Sequence, residues 1–159
     1  SICLATVTGG KWTTYRAMAE DVLSECFTQH LLDPRAGGVT VHLPLVGAPE
    51  AGGVRQGMNA AQGLHSYGTE SDAVQALPGA GVELVPGLTE AMVRFAVRFE
   101  YARTVEDMLA RRSRLLFLDA RQAAIVAPRV ADILQEELGQ DPKLEDFLAL
   151  AQQYLPAAH

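Results

Sequence analysis

Thr89-Glu90-Ala91-Met92-Val93-Arg94-Phe95-Ala96-Val97-Arg98-Phe99-Glu100-Tyr101 reads as an amphipathic helix. Met92, Val93, Ala96, Val97 and Tyr101 recur at helical spacing on one side, and Arg94 and Arg98 lie on another. Helical signals continue from there to the C-terminus. Thr104 and Asp107 form a capping-box-like start, with Asp in the usual place of Glu, for a helix through about Phe117. Asp119 and Gln122 repeat the device for the next helix. Pro128 either kinks that helix or sits in the first turn of a new one, and Gly139 closes it. Asp141-Pro142 opens the last helix, whose core stripe is Leu144, Phe147, Leu148, Ala151 and Leu155. Short connections between these last three helices predict an antiparallel bundle.

Working back from Thr89, residues 71–77 predict a short helix stopped at Pro78-Gly79, and Gly68 marks a turn. Residues 54–66 suggest another short helix, weakened by Gly57 and Gly63. Residues 33–53 are rich in Gly, Pro and Ala and read as an irregular connection, with Val39-Thr40-Val41-His42-Leu43 as a short extended piece. A helix is predicted over 13–30. Tyr15, Met18, Ala19, Val22, Leu23, Cys26 and Phe27 line one face, and Glu20, Asp21, Ser24 and Glu25 the other. Thr13 or Thr14 is its expected N-cap. Residues 2–7 predict a short buried strand.

The 159 residues make one domain, or one domain and a piece of another. The 48% apolar and 20% charged fractions are those of a globular protein with a real core. A formal charge of −6 argues against general nucleic-acid binding, which needs a basic face. No apolar run reaches the length of a membrane span. Cys3 and Cys26 could pair, but their apolar contexts favour buried free thiols. The chain starts at Ser1 directly in a strand, which reads as an excised fragment.

The chemistry concentrates in Thr6-Val7-Thr8-Gly9-Gly10-Lys11-Trp12-Thr13-Thr14. A strand, a double-glycine turn and a helix start bring backbone N–H groups and a positive helix end to one point, beside a lysine. Such a point attracts an anion or an electron-rich ring. From spacing alone, a tight strand-to-helix turn with no ligand fits equally well. An ATP phosphate loop does not fit, because Ala5 stands where its first glycine belongs and Trp12 where Ser or Thr must follow the lysine.

The wording decides further. Gly9-Gly10-Lys11-Trp12-Thr13-Thr14-Tyr15-Arg16, followed by Met18-Ala19-Glu20-Asp21, closely resembles the last flavin-contacting motif of FAD-dependent glycerol-3-phosphate dehydrogenases. Arg103-Thr104-Val105-Glu106-Asp107-Met108-Leu109-Ala110-Arg111-Arg112-Ser113-Arg114-Leu115 resembles the family's C-terminal helical signature, which usually has Thr at Ser113. Tyr67-Gly68-Thr69-Glu70 is a weaker match between them. The order is the family's, and residues 33–66 are the least distinctive.

The resemblance implies a mainly α fold: a C-terminal helical bundle preceded by a strand–Gly-Gly turn–helix remnant of the FAD-binding domain. Its implied parts are residues 1–30 as that domain's edge, 31–66 as an irregular linker region, and 67–159 as the helical C-terminal domain. It implies a cytoplasmic bacterial parent that oxidises sn-glycerol 3-phosphate to dihydroxyacetone phosphate at the inner face of the inner membrane. FAD would accept the hydride and a quinone the electrons. Gly9, Gly10, Thr13 and Thr14 would support the flavin, and Lys11 would face flavin and substrate phosphate. A reduced flavin carries negative charge near its N1 and C2 carbonyl, which such a turn suits.

No Gly-x-Gly-x-x-Gly follows a strand here, so the ADP half of FAD would bind upstream, as would the catalytic machinery. By itself the fragment would hold FAD weakly and be inactive. Its implied partners are the upstream FAD and substrate domains, with a homodimer and peripheral membrane association left open. A glycerol-3-phosphate oxidase of the same superfamily and a non-catalytic helical interaction module also stay open.

Other candidates have plainer readings. Asp107 lies four residues before Arg111, so the Arg111-Arg112-Ser113-Arg114 run is expected to serve a structural or interdomain role. His30, His42, His65 and His159 make no metal-ligand spacing. Trp12 is expected to pack, and Glu136-Glu137 and Glu145-Asp146 to be solvated helix faces.

Overall fold

The computed structural model describes residues 6–35, 37–49 and 61–155, which are mainly helical. The chain divides into two compact units, Ser1–Leu45 and Val46–His159.

In the first unit a 3-10 turn, Trp12–Thr14, leads into α1 (Tyr15–Thr28). The helix ends in a Schellman-type cap. The Leu31 N–H reaches back to the Cys26 carbonyl at 2.8 Å, and His30 takes the left-handed conformation at φ +55°. Cys26 is the buried residue of α1 and carries a free thiol. The expected strand lies outside the described residues over 1–5, as does Cys3, and residues 6–7 are irregular. Val39 to Leu43 is a turn rather than an extended piece: the His42 N–H returns to the Val39 carbonyl at 3.1 Å. Five residues without a neighbouring strand satisfy their backbone better by turning than by extending.

In the second unit, a 3-10 segment Leu64–Glu70 precedes α2 (Ser71–Gln75). The helix suggested over 54–66 falls largely outside the described residues. A small antiparallel hairpin follows, β1 (Glu83–Val85) and β2 (Leu88–Thr89), pairing Glu83 with Thr89 and Val85 with Leu88. Sequence reading misses it because strands this short show no alternation. Thr89 then caps α3 (Glu90–Phe99), accepting the Met92 N–H at 3.3 Å. Ala91, Met92, Val93, Phe95, Ala96 and Val97 are all buried. Tyr101 corrects the expected stripe: it lies past the helix end at φ +60° and is 76% exposed. Phe95 supplies the aromatic core group instead.

The Thr104–Asp107 cap forms in both directions, at 3.1 Å each way. The helix after it does not reach Phe117. It widens to a π-helical segment, Asp107–Arg112, and stops at Ser113. The buried Ser113 hydroxyl donates to the Met108 carbonyl at 3.1 Å, and Arg114 turns left-handed at φ +58°. A hydroxyl that competes for backbone groups explains the break. One further turn, α4 (Leu115–Leu118), precedes α5 (Ala120–Leu138), which Asp119 caps through the Gln122 N–H at 2.9 Å.

Pro128 lies inside α5, and Gly139 closes that helix at φ +65°. α6 (Leu144–Gln152) begins later than Asp141-Pro142. Lys143 is left-handed, and the Pro142 carbonyl is taken by the Val105 N–H at 2.9 Å.

Helix directions follow from contacts. Tyr154, beyond the end of α6, meets Phe117, ahead of α5, with ring centroids 5.5 Å apart, so these two helices are antiparallel as expected. Arg129 of α5 pairs with Glu90 of α3, and Glu137 of α5 with Arg98 of α3, so α3 and α5 run parallel. Phe95, Met108, Leu109, Leu116, Ile133, Leu134 and Phe147 are fully buried between these elements.

Candidate functional site

The Gly-Gly-Lys turn lies in the first unit. Gly9 has φ +145°, a conformation that L side chains rarely adopt, and Lys11 is extended. The 3-10 turn then closes with the Thr14 N–H on the Lys11 carbonyl at 3.0 Å. The Thr14 hydroxyl donates to the same carbonyl at 3.1 Å. Thr14 is thus the N-cap residue of α1, as expected, but neither it nor Thr13 caps the helix through its side chain. The hydroxyl looks backward because the 3-10 turn presents a nearer acceptor. No side chain of the turn competes with an anion for the first-turn N–H groups.

Beside the turn is an apolar groove of about 600 Å³, lined by Gly9, Gly10, Lys11, Trp12, Tyr15 and Met18 among others. Trp12 does not pack into a core as expected: it is 88% exposed, and its ring lies 5.7 Å from that of Tyr15, tilted by 35°. An apolar trough with exposed aromatic walls, two glycines and one ammonium suits a planar ring with negative character at one edge, or a phosphate at its rim. Gly9, Gly10, Lys11, Thr13 and Thr14 are thus brought together on one short turn, all exposed.

The second unit uses its charges differently. Arg111 pairs with Glu106 at 2.7 Å and with Asp107 at 2.8 Å. Arg112 donates to the carbonyls of Asp107 and Glu100, while Arg114 is the left-handed residue before α4. Burial would push the Asp107 carboxyl up. The backbone N–H of Arg103, the Thr104 hydrogen bonds and the Arg111 charge outweigh it and hold the group below its ordinary value.

Glu136 and Glu137 are not an ordinary solvated face. Arg94 reaches Glu136 at 2.6 Å and Glu137 at 2.8 Å, and Arg98 meets Glu137 at 2.7 Å. Glu137 is only 11% exposed at its side chain. The Arg98 hydrogen bond, then Arg94, hold its carboxyl down at about 2 against the effect of burial. A signal was present in the sequence: Arg94 and Arg98 lie four apart on one helix, and Glu136-Glu137 lie at the end of another. Nothing in one sequence says which helices are neighbours. Glu145-Asp146 are exposed as expected.

The Tyr67-Gly68-Thr69-Glu70 stretch is a packing device. Gly68 has φ +55° and ψ −123°, and a Cβ there would stand 1.8 Å from the Gly47 carbonyl oxygen. The Thr69 N–H donates to that same oxygen at 3.2 Å. The Tyr67 ring stands edge-on to Phe95 at 5.3 Å. Burial, then the Glu100 charge, push its hydroxyl up to about 12, with Arg112 opposing.

His30 follows α1, His42 lies in an exposed turn, His65 in the 3-10 segment, and His159 outside the described residues. Among the described residues no three His, Cys, Asp or Glu side chains could together hold a metal ion, and no helix is long and apolar enough to cross a membrane.

Comparisons with known proteins converge. Residues 38–145 match the family described as the C-terminal domain of alpha-glycerophosphate oxidase. A protein named probable mitochondrial glycerol-3-phosphate dehydrogenase from Dictyostelium discoideum is 34% identical over an alignment covering 96% of this chain and 26% of its own. The mitochondrial glycerol-3-phosphate dehydrogenase of Bos taurus is 34% identical, with 96% and 24% covered, and that of Arabidopsis thaliana 36% identical, with 84% and 26% covered. The chain thus spans about a quarter of the length of these relatives. No solved structure matches it.

Proposed function

The chain belongs to the glycerol-3-phosphate oxidase and dehydrogenase family as its C-terminal domain, and from that premise we propose that the parent enzyme oxidises sn-glycerol 3-phosphate to dihydroxyacetone phosphate. FAD, when bound, supplies the hydride acceptor. In this reading Gly9, Gly10, Thr13 and Thr14 lie against the flavin, and Lys11 faces flavin and substrate phosphate. The observation that carries it is the turn itself: a left-handed Gly9, an extended Lys11 and an apolar groove walled by Trp12 and Tyr15. The donor set fits the group. Backbone N–H groups at a helix start and one ammonium favour anionic character, and the apolar walls favour a flat ring.

Lys11 acts as a point charge that binds and orients phosphate. That charge is carried on the residue that immediately precedes the 3-10 turn at the helix start. The helical domain is a buttress or cap for the catalytic core, and its inter-helix ion pairs and close-packed core make it a stiff one. A quinone is the proposed final acceptor. The relatives are named as mitochondrial, which moves the proposed setting from a bacterial inner membrane to any quinone-bearing membrane, with association at its surface.

The test is flavin content and glycerol-3-phosphate:dye oxidoreductase activity of the full-length parent, as wild type and as Lys11→Ala. A yellow, active parent whose KM rises or turnover falls in the variant supports the reading. A parent without flavin overturns it. The matched family description names an oxidase, and rapid peroxide formation with oxygen as sole acceptor would favour that second reading over quinone reduction.

A further inference from the structure

Met18 sits one turn into α1, half-buried, and lines the groove beside the turn with no role of its own assigned above. Its side chain runs back over the Gly-Gly-Lys turn. The Thr14 hydroxyl oxygen lies 3.7 Å from its sulfur, and its one proton is shared between that sulfur and the nearer Lys11 carbonyl at 3.1 Å. At the other end, a Cβ built on Gly9 would stand 2.7 Å from the Met18 Cε and 3.5 Å from its sulfur. One thioether therefore touches both ends of the segment on which Lys11 is carried. Lys11 lies between these two contacts, and its own carbonyl is already engaged by Thr14.

We propose that Met18 is a positioning residue for Lys11: its thioether clamps Gly9 to Thr14 and so sets where the ammonium stands relative to phosphate. This rests on the reading of Lys11 given above. The geometry explains why both ends of the turn look as they do. Gly9 takes φ +145°, which L side chains rarely adopt, and the Met18 methyl lies over the face left open there. Thr14 turns its hydroxyl away from the helix N–H groups and toward the Lys11 carbonyl and the Met18 sulfur. An unbranched, polarizable side chain suits this double contact, since it bends to meet both ends. Leucine ends at Cδ and has neither the sulfur that faces Thr14 nor the Cε that lies nearest Gly9, so it should restore the clamp only in part; valine, which lacks atoms beyond Cγ, should not reach.

The experiment uses the full-length parent as wild type, Met18→Leu, Met18→Val, Met18→Ala and Lys11→Ala. Two quantities are read: KM and kcat for glycerol 3-phosphate, and the Kd of inorganic phosphate from the flavin difference spectrum. The expected result is that Met18→Val and Met18→Ala each raise KM and phosphate Kd about 5- to 20-fold. Their kcat should change less than about 3-fold, while Met18→Leu should raise KM and phosphate Kd by less than either. A general loss of fold would instead lower kcat and flavin content together, and since Met18 is half-exposed the conservative variants keep the test readable. If Lys11→Ala weakens phosphate binding and the Met18 variants do not, the clamp is overturned and the Lys11 reading stands. If Lys11→Ala has no effect on either quantity, both fall.

Discussion

Replacing Glu137 with glutamine should reveal how α3 is held to α5. The substitution keeps shape and removes charge, leaving Arg94 with Glu136 and Arg98 with solvent. The carboxyl falls from an ordinary 4.5 to about 2 in the folded chain, and at 1.36 kcal/mol per pH unit that sets a ceiling of about 3 kcal/mol. Exposed pairs set a floor of roughly 0.5 kcal/mol. With Glu137 and Arg94 only 11% and 12% exposed but Arg98 at 41%, a loss of about 2 kcal/mol at pH 7 is expected. The sign with pH follows from the direction of the shift. A carboxyl whose folded value is depressed contributes fully above about 4.5 and loses that contribution as pH falls toward 2. The gap between wild type and Glu137→Gln should therefore shrink by at least half between pH 7 and pH 3. Urea unfolding followed by far-UV circular dichroism at the two pH values measures it. A gap that is constant with pH, or below about 0.5 kcal/mol at pH 7, would refute the reasoning.

Other substitutions test the packing. Gly68→Ala forces a methyl against the Gly47 carbonyl in a conformation suited to glycine; thermal or urea unfolding should show a loss above about 3 kcal/mol. Phe147→Ala removes the buried ring of α6, and about 3–5 kcal/mol should be lost in the same assay. Thr89→Ala removes the hydroxyl that accepts the Met92 N–H; about 1 kcal/mol should be lost, with faster amide exchange confined to the first turn of α3.

Much of the helical unit was legible because its signals are local. The Thr104–Asp107 and Asp119–Gln122 caps, the Gly139 terminus and the Phe147 and Ala151 core positions each depend on residues within a few positions of one another. What was missed depends on groups far apart in the chain or on competition within a turn. The α3–α5 ion pairs join residues about forty apart. The break at Ser113 turns on where one hydroxyl finds its acceptor, and helical periodicity runs straight through it. Tyr101 fits the apolar spacing of α3, yet the helix has already ended. In the Gly9–Lys11 turn the residue types announced a glycine turn leading into a helix start. The exposure of Trp12 and the reach of Met18 depend on side-chain direction, which spacing does not encode.

The position of Glu136 and Glu137 on their own helix has a consequence for folding order. Both lie in the last turn of α5, where the negative end of the peptide dipoles disfavours acidic groups. Left alone, that end of α5 should fray. Docked beside α3, the same two carboxylates meet Arg94 and Arg98, and the unfavourable end becomes a fastening. The final turn of α5 is thus conditional on α3 being in place. An isolated peptide spanning residues 119–139 should be less helical at its C-terminal end than the intact chain, and acid should restore part of that helicity.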